Sequence, residues 1–128
     1  MAKDDLIKNI FRIHDFRESL KFSLKGTVYL FRYHRNMRLI FLIGIAAGFL
    51  GLYLNLKGIE LAVLCITITA VFIAEMTNTA IELVMDTITD KYSLKIKIIK
   101  DITAAIVVVA CLNAAAVGYI LIIRKIFR

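Results

Sequence analysis

The chain has 128 residues, 60% of them hydrophobic, with a mean hydropathy of +0.79 and neither Pro nor Trp. That composition leaves little room for a water-soluble globular domain and places the chain in the membrane class. A net charge of +7 suits nucleic acid or an anionic surface; the long apolar segments decide for the membrane surface, with the basic residues as anchors and no nucleic acid partner.

The N-terminus begins as a charged amphipathic stretch without the short apolar core and small-residue cleavage site of a signal peptide, so no processing is expected. From Leu6 to Phe31, apolar residues recur at Leu6, Ile10, Ile13, Leu20, Leu24 and Phe31, with Lys8, Arg12, Arg17 and Lys21 among the charges between them. The spacing predicts a helix over about 5–33 with one apolar stripe and a basic opposite face, lying along the membrane interface. Its His14 has no motif around it and reads as a surface residue.

An uncharged run from Leu39 to Leu56 predicts a first span over about 38–56, close to the roughly 20 residues needed to cross about 30 Å of hydrocarbon. Asn55, Lys57, Gly58 and Glu60 punctuate a short connection that turns the chain back antiparallel. The second span, about 60–88, is apolar to Ala74 and then turns polar on one side. The third, about 101–124, contains the uncharged run Ile102 to Ile123, after a basic loop that begins at Lys91. Cys65 and Cys111 lie inside apolar runs and read as small buried hydrophobes, with no disulfide framework.

Nine Lys and Arg precede Leu39, one falls in the first loop, four between Asp86 and Asp101, and three at the C-terminus. The N-terminus and second loop are therefore expected on the cytoplasmic side. The fold class expected is an all-α integral membrane protein, a surface helix and three transmembrane helices in a single domain over 1–128. Three spans leave few side chains to enclose a site, so oligomerisation is expected as well.

At about 100° per residue, Glu75, Asn78, Glu82 and Asp86 fall within an arc of roughly 80° on one helix face. A carboxylate in the bilayer costs about 2.5–3.5 kcal/mol on insertion scales, so several on one stripe must face protein or water. Contact with headgroups where the helix emerges is the bland alternative. Ile81, Leu83, Val84, Met85 and Ile88 argue against it, because they keep the rest of the circumference apolar. Grouped carboxylates call for a cation, and Mg²⁺ takes one or two of them together with substrate phosphates, so the stripe suits a metal–nucleotide complex. Lys91 and Lys100 offer countercharge to phosphate, while the absence of a GxxxxGK[ST] loop rules out a P-loop cradle.

The run Ala74-Glu75-Met76-Thr77-Asn78-Thr79-Ala80-Ile81-Glu82-Leu83-Val84-Met85-Asp86, with Lys100-Asp101 fourteen residues later, closely resembles the signature of the prokaryotic diacylglycerol kinase family, which includes undecaprenol kinases. The resemblance extends from about Phe16 to the C-terminus. Looser matches are Ser19, Phe22, Lys25-Gly26, Arg35-Asn36-Met37-Arg38 and Glu60. It implies a homotrimer in the bacterial cytoplasmic membrane that moves the γ-phosphate of ATP to a membrane lipid hydroxyl. The Asn78 to Glu82 wording looks more like the undecaprenol branch, with diacylglycerol as the alternative.

By motif position, the resemblance implies that Glu75 is the general base, Asn78, Asn36 and Arg38 belong to the lipid site, and Glu82 ligates Mg²⁺. Phe22, Asp86, Lys91, Tyr92, Ser93, Lys100 and Asp101 would surround ATP. The family usually has a second metal-binding Glu just before the Arg-Asn pair, where this chain has His34. Because Mg²⁺ prefers oxygen ligands, His34 implies weaker Mg²⁺ use, tolerance for Mn²⁺ or Zn²⁺, or reduced activity. Two competing readings are a catalytically impaired family member, motivated by His34, and a small cation-coupled transporter, motivated by the intramembrane carboxylates.

Overall fold

The computed structural model of the chain describes residues 3–10, 16–89, 91 and 93–127, without the side chains of residues 6 and 8–10. His14 and Tyr92 lie outside the described residues, as do Ile13 and the side chains of Leu6 and Ile10 from the apolar stripe. The described residues form helices and no strand: α1 Lys3–Ile10, α2 Phe16–Tyr33, α3 Arg35–Tyr53, α4 Ile59–Ile88 and α5 Leu94–Gly118. A π-helical turn, Tyr119–Ile123, then leads into the short α6, Arg124–Ile126. The helices divide between two units, Met1–His34 and Arg35–Arg128.

In the first unit, Asp4 and Asp5 occupy the first turn of α1, where negative charge suits the helix dipole. α2 has no buried residue. Its Ser23 and Thr27 hydroxyls donate to the carbonyls of Ser19 and Ser23, which satisfies them locally. Near its end the Tyr29 ring lies 4.9 Å from Tyr33 and 6.0 Å from His34, and the His34 N–H donates to the Leu30 carbonyl.

In the second unit, α4 packs against both α3 and α5. All three of these helices are long and apolar enough to cross a membrane. Phe49, Ile66, Val109 and Leu112 are exposed on their outer faces, as suits helices whose solvent is hydrocarbon. Cys65 and Cys111, expected to be buried, are exposed on the single chain, because each spanning helix packs against its neighbours over only part of its circumference.

The α3–α4 connection follows from two residues. Asn55, with φ 58°, takes the left-handed conformation after α3; the Asn55 N–H donates to Leu52 and the Leu56 N–H to Gly51, the two bonds of a Schellman motif. Leu56, 2% exposed, folds back over Gly51, and Gly58 at φ 57° completes the reversal. α4 then runs for 30 residues, about 45 Å at ~1.5 Å per residue, against about 30 Å of hydrocarbon. Its C-terminal turns therefore reach beyond the apolar slab, and they are the turns that carry the polar stripe.

Candidate functional site

The stripe is turned into the protein. Glu75 is 5% exposed and Thr79, one turn on, 3%; Asn78 and Glu82 are half-buried, and Asp86 is exposed where α4 ends. This gradient follows the helix from the packed bundle toward its open end, so the stripe runs from a dry carboxylate to a wet one.

Between them, Asn78 Nδ2 donates to Glu82 Oε1 over a long 3.4 Å. Asn78 Oδ1 is buried and accepts no hydrogen bond among the described residues. A buried acceptor without a partner costs about 1–3 kcal/mol, which a cation or a ligand donor at that oxygen would remove. Among the described residues no three His, Cys, Asp or Glu side chains gather to enclose an ion. The oxygens of Glu82 and Asn78 therefore fit a hard cation completed by phosphate and water and do not fit a closed all-protein cage.

Beyond the stripe, the last turn of α4, the loop after it and the start of α5 surround an open cleft of about 530 Å³. The loop is shaped by Thr89, whose extended backbone ends α4 and whose Oγ1 accepts the Lys91 N–H at 3.0 Å. Asp86, Lys91, Ser93, Lys100 and Asp101 all line this cleft. Lys100 Nζ donates to Asp86 Oδ1 at 2.7 Å across the two helices, and Lys97 Nζ to Asp101 Oδ2 at 2.7 Å along α5. Three lysines at an open mouth, two of them held by carboxylates, make a cationic site whose cations can exchange partners when a polyanion arrives.

Lys97, Thr89 and Ile96 line the cleft without having been singled out from the sequence. Lys97 was open to discovery, since it stands one helical turn before Asp101. Asn36 and Arg38 are exposed on the first turn of α3, on either side of the fully buried Met37, and they do not line the cleft. Phe22 and His34 belong to the first unit: Phe22 is exposed on α2 and His34 half-buried at its end.

Three membrane-length helices with a polar stripe leading to a lysine-lined cleft at one end of the bundle define an integral membrane protein of the helical class. Residues 21–122 match the family model of prokaryotic diacylglycerol kinase. The chain is also 35% identical over 119 residues to a diacylglycerol kinase of Synechocystis sp., which covers 91% of this chain and 68% of the relative. The chain belongs to the prokaryotic diacylglycerol kinase family and is an ATP-dependent lipid kinase, a reaction that uses a divalent metal ion.

Proposed function

We propose that the chain phosphorylates undecaprenol, moving the γ-phosphate of ATP to its hydroxyl with Mg²⁺ as the accompanying ion. The observation that carries this reading is the buried Glu75 on the same face of α4 as Asn78 and Glu82, at the bilayer end of a stripe that leads to the lysine cleft. The wording of residues 78–82 supports the prenol acceptor. Diacylglycerol is the second reading, favoured by the names of the family and of the Synechocystis relative.

In this mechanism the Glu75 carboxylate takes the proton of the lipid hydroxyl as the oxygen attacks the γ-phosphorus. The new P–O bond forms as the bond to the β-phosphate oxygen breaks, and ADP leaves. Asn78 fixes the geometry beside Glu75. Glu82 would hold the divalent ion, which supplies charge neutralisation on the phosphates. Lys100 and Lys91 stabilise the charge that develops on the transferred and leaving groups, and Asp86, Ser93 and Asp101 position the nucleotide. Such a site works by positioning and electrostatics, as phosphoryl transfer requires.

Roles for Phe22 and Tyr92 at the nucleotide, Asn36 and Arg38 at the lipid, and His34 at the metal rest on motif position alone. One kinase domain over 1–128 works as a homotrimer in this reading, supported by the family resemblance and by the few side chains that three spans offer to enclose a site. The Lys and Arg distribution supports a bacterial cytoplasmic membrane location with the N-terminus inside.

The test is a panel assay. Purified protein in detergent is given ATP, undecaprenol or diacylglycerol, and Mg²⁺, Mn²⁺ or Zn²⁺. Undecaprenyl phosphate forming fastest with Mg²⁺ is the expected result. Diacylglycerol turning over while undecaprenol does not would reverse the acceptor assignment.

A further inference from the structure

We infer that the Thr79 hydroxyl is a second contact to the acceptor alcohol, donating a hydrogen bond to the oxygen whose proton Glu75 takes. The inference rests on the lipid kinase reading, with Glu75 at the acceptor hydroxyl.

Thr79 stands apart from the other threonines of the spanning helices. A threonine inside a helix can donate to a carbonyl one turn back, which satisfies its hydroxyl locally. Thr67, Thr69, Thr77 and Thr87 donate to the carbonyls of Val63, Cys65, Ile73 and Leu83 at 2.7–2.9 Å, and Thr103 donates to that of Lys100 at 3.0 Å. The same habit would send the Thr79 hydroxyl to the Glu75 carbonyl, yet it donates to no acceptor among the described residues. Thr79 is also only 3% exposed. A buried donor without an acceptor is unfavourable, and an oxygen brought by a ligand removes that cost.

Glu75 supplies the complementary group. Its side chain, 5% exposed, likewise makes no hydrogen bond among the described residues. At about 100° per residue the two lie roughly 40° apart on α4, and side chains at this spacing hold their Cβ atoms about 5–6 Å from one another. A single oxygen between them can therefore reach both. An alcohol is the group that fits, since it donates to a carboxylate and accepts from a hydroxyl. An ether oxygen would serve Thr79 alone, and a hydrocarbon neither.

The contact also directs the attack. The acceptor oxygen carries one proton and two lone pairs. With the proton on Glu75 and one lone pair on the Thr79 O–H, the other lone pair forms the bond to the γ-phosphorus, and two side chains fix its direction. Thr79 keeps its own proton throughout; after transfer the same O–H donates to the oxygen that now bridges carbon and phosphorus. Holding a nucleophile close to its attack geometry is a main source of rate where positioning and electrostatics carry the reaction.

The test removes the hydroxyl and keeps the shape. Thr79→Val is compared with Thr79→Ser and the unaltered protein, using whichever acceptor the latter phosphorylates. In Thr79→Val, kcat/KM for the acceptor should fall roughly three- to tenfold, the scale of one hydrogen bond between neutral partners, and Thr79→Ser should restore it. The KM for ATP and the Tm in detergent should hold, because this hydroxyl has no protein partner to lose. An unchanged kcat/KM for the acceptor, a KM for ATP that rises in step with the loss, or serine failing to restore the activity would each overturn the inference.

A binding measurement separates the contact from packing. The acceptor analogue with hydrogen in place of its hydroxyl should inhibit Thr79→Val and the unaltered protein with the same Ki, since it offers Thr79 no oxygen. A Ki raised as far as kcat/KM falls would assign the effect to the shape of the wall and overturn the contact. If the unaltered protein phosphorylates neither lipid, the kinase reading fails and takes the contact with it, whereas full activity of Thr79→Val removes the contact and leaves the kinase reading standing.

Discussion

Lys100 on α5 donates to Asp86 on α4 across 2.7 Å, joining two residues fourteen positions apart at the mouth of the cleft. Both remain partly exposed, so the pair is accessible to a phosphate that can take the carboxylate's place. Lys100→Met should lower kcat/KM for ATP by roughly 10²-fold, the scale for losing one preorganised charge donor, whereas Lys100→Arg keeps part of it. Initial rates against ATP concentration check this; a loss confined to the lipid KM would remove Lys100 from the nucleotide site.

Glu75→Gln keeps the shape of the side chain and removes the proton acceptor. Turnover should fall by about 10²–10⁴-fold, the range of general base catalysis. Thermal stability in detergent should hold or rise, since a buried carboxylate is replaced by a neutral amide. Full product formation by this variant would refute Glu75 as the base.

His34→Glu restores the residue that the family motif carries there and should preserve or raise Mg²⁺-dependent activity. The gain should shrink when Mn²⁺ replaces Mg²⁺, because imidazole suits the softer ion better. A large loss in the metal titration would instead give the histidine a role of its own.

Lys97→Gln should raise the KM for ATP several-fold and leave kcat for the lipid close to its starting value, with Lys97→Arg restoring the binding. The effect should diminish at high salt, as it does for exposed charges. A merely structural pair with Asp101 predicts no change in KM.

Gly51 sits where α3 meets α4. A Cβ there would lie 2.6 Å from Leu64 Cδ2 and 3.2 Å from Leu56 Cδ1, and both leucines are buried. Gly51→Val should therefore destabilise the bundle by about 1–3 kcal/mol through overpacking. The check is thermal unfolding in detergent, and a Tm equal to that of the unaltered protein would contradict the contact.

Much of the fold was legible because hydrocarbon imposes simple rules. The uncharged runs beginning at Leu39 and Ile102 marked α3 and α5, and the apolar residues from Ile81 to Ile88 between the polar ones are those over which α4 continues past Ala74. The beginning of α5 was less visible. It starts at Leu94, well before the apolar run, because a helix can continue into water on backbone hydrogen bonds that hydropathy does not register. The lysines at 95, 97 and 100 that read as a basic loop lie on that continuation.

The sequence by itself determined the helical class, the membrane-length segments and the face on which Glu75, Asn78, Glu82 and Asp86 align, since all of these are periodic properties of one helix. Only the tertiary structure decided that Asn78 Oδ1 is buried without a donor among the described residues, that Lys100 pairs with Asp86, and that small residues on three helices leave a groove between them. Each of those depends on how closely neighbouring helices approach. That distance is set by side chains meeting from different parts of the chain, and no local pattern records it.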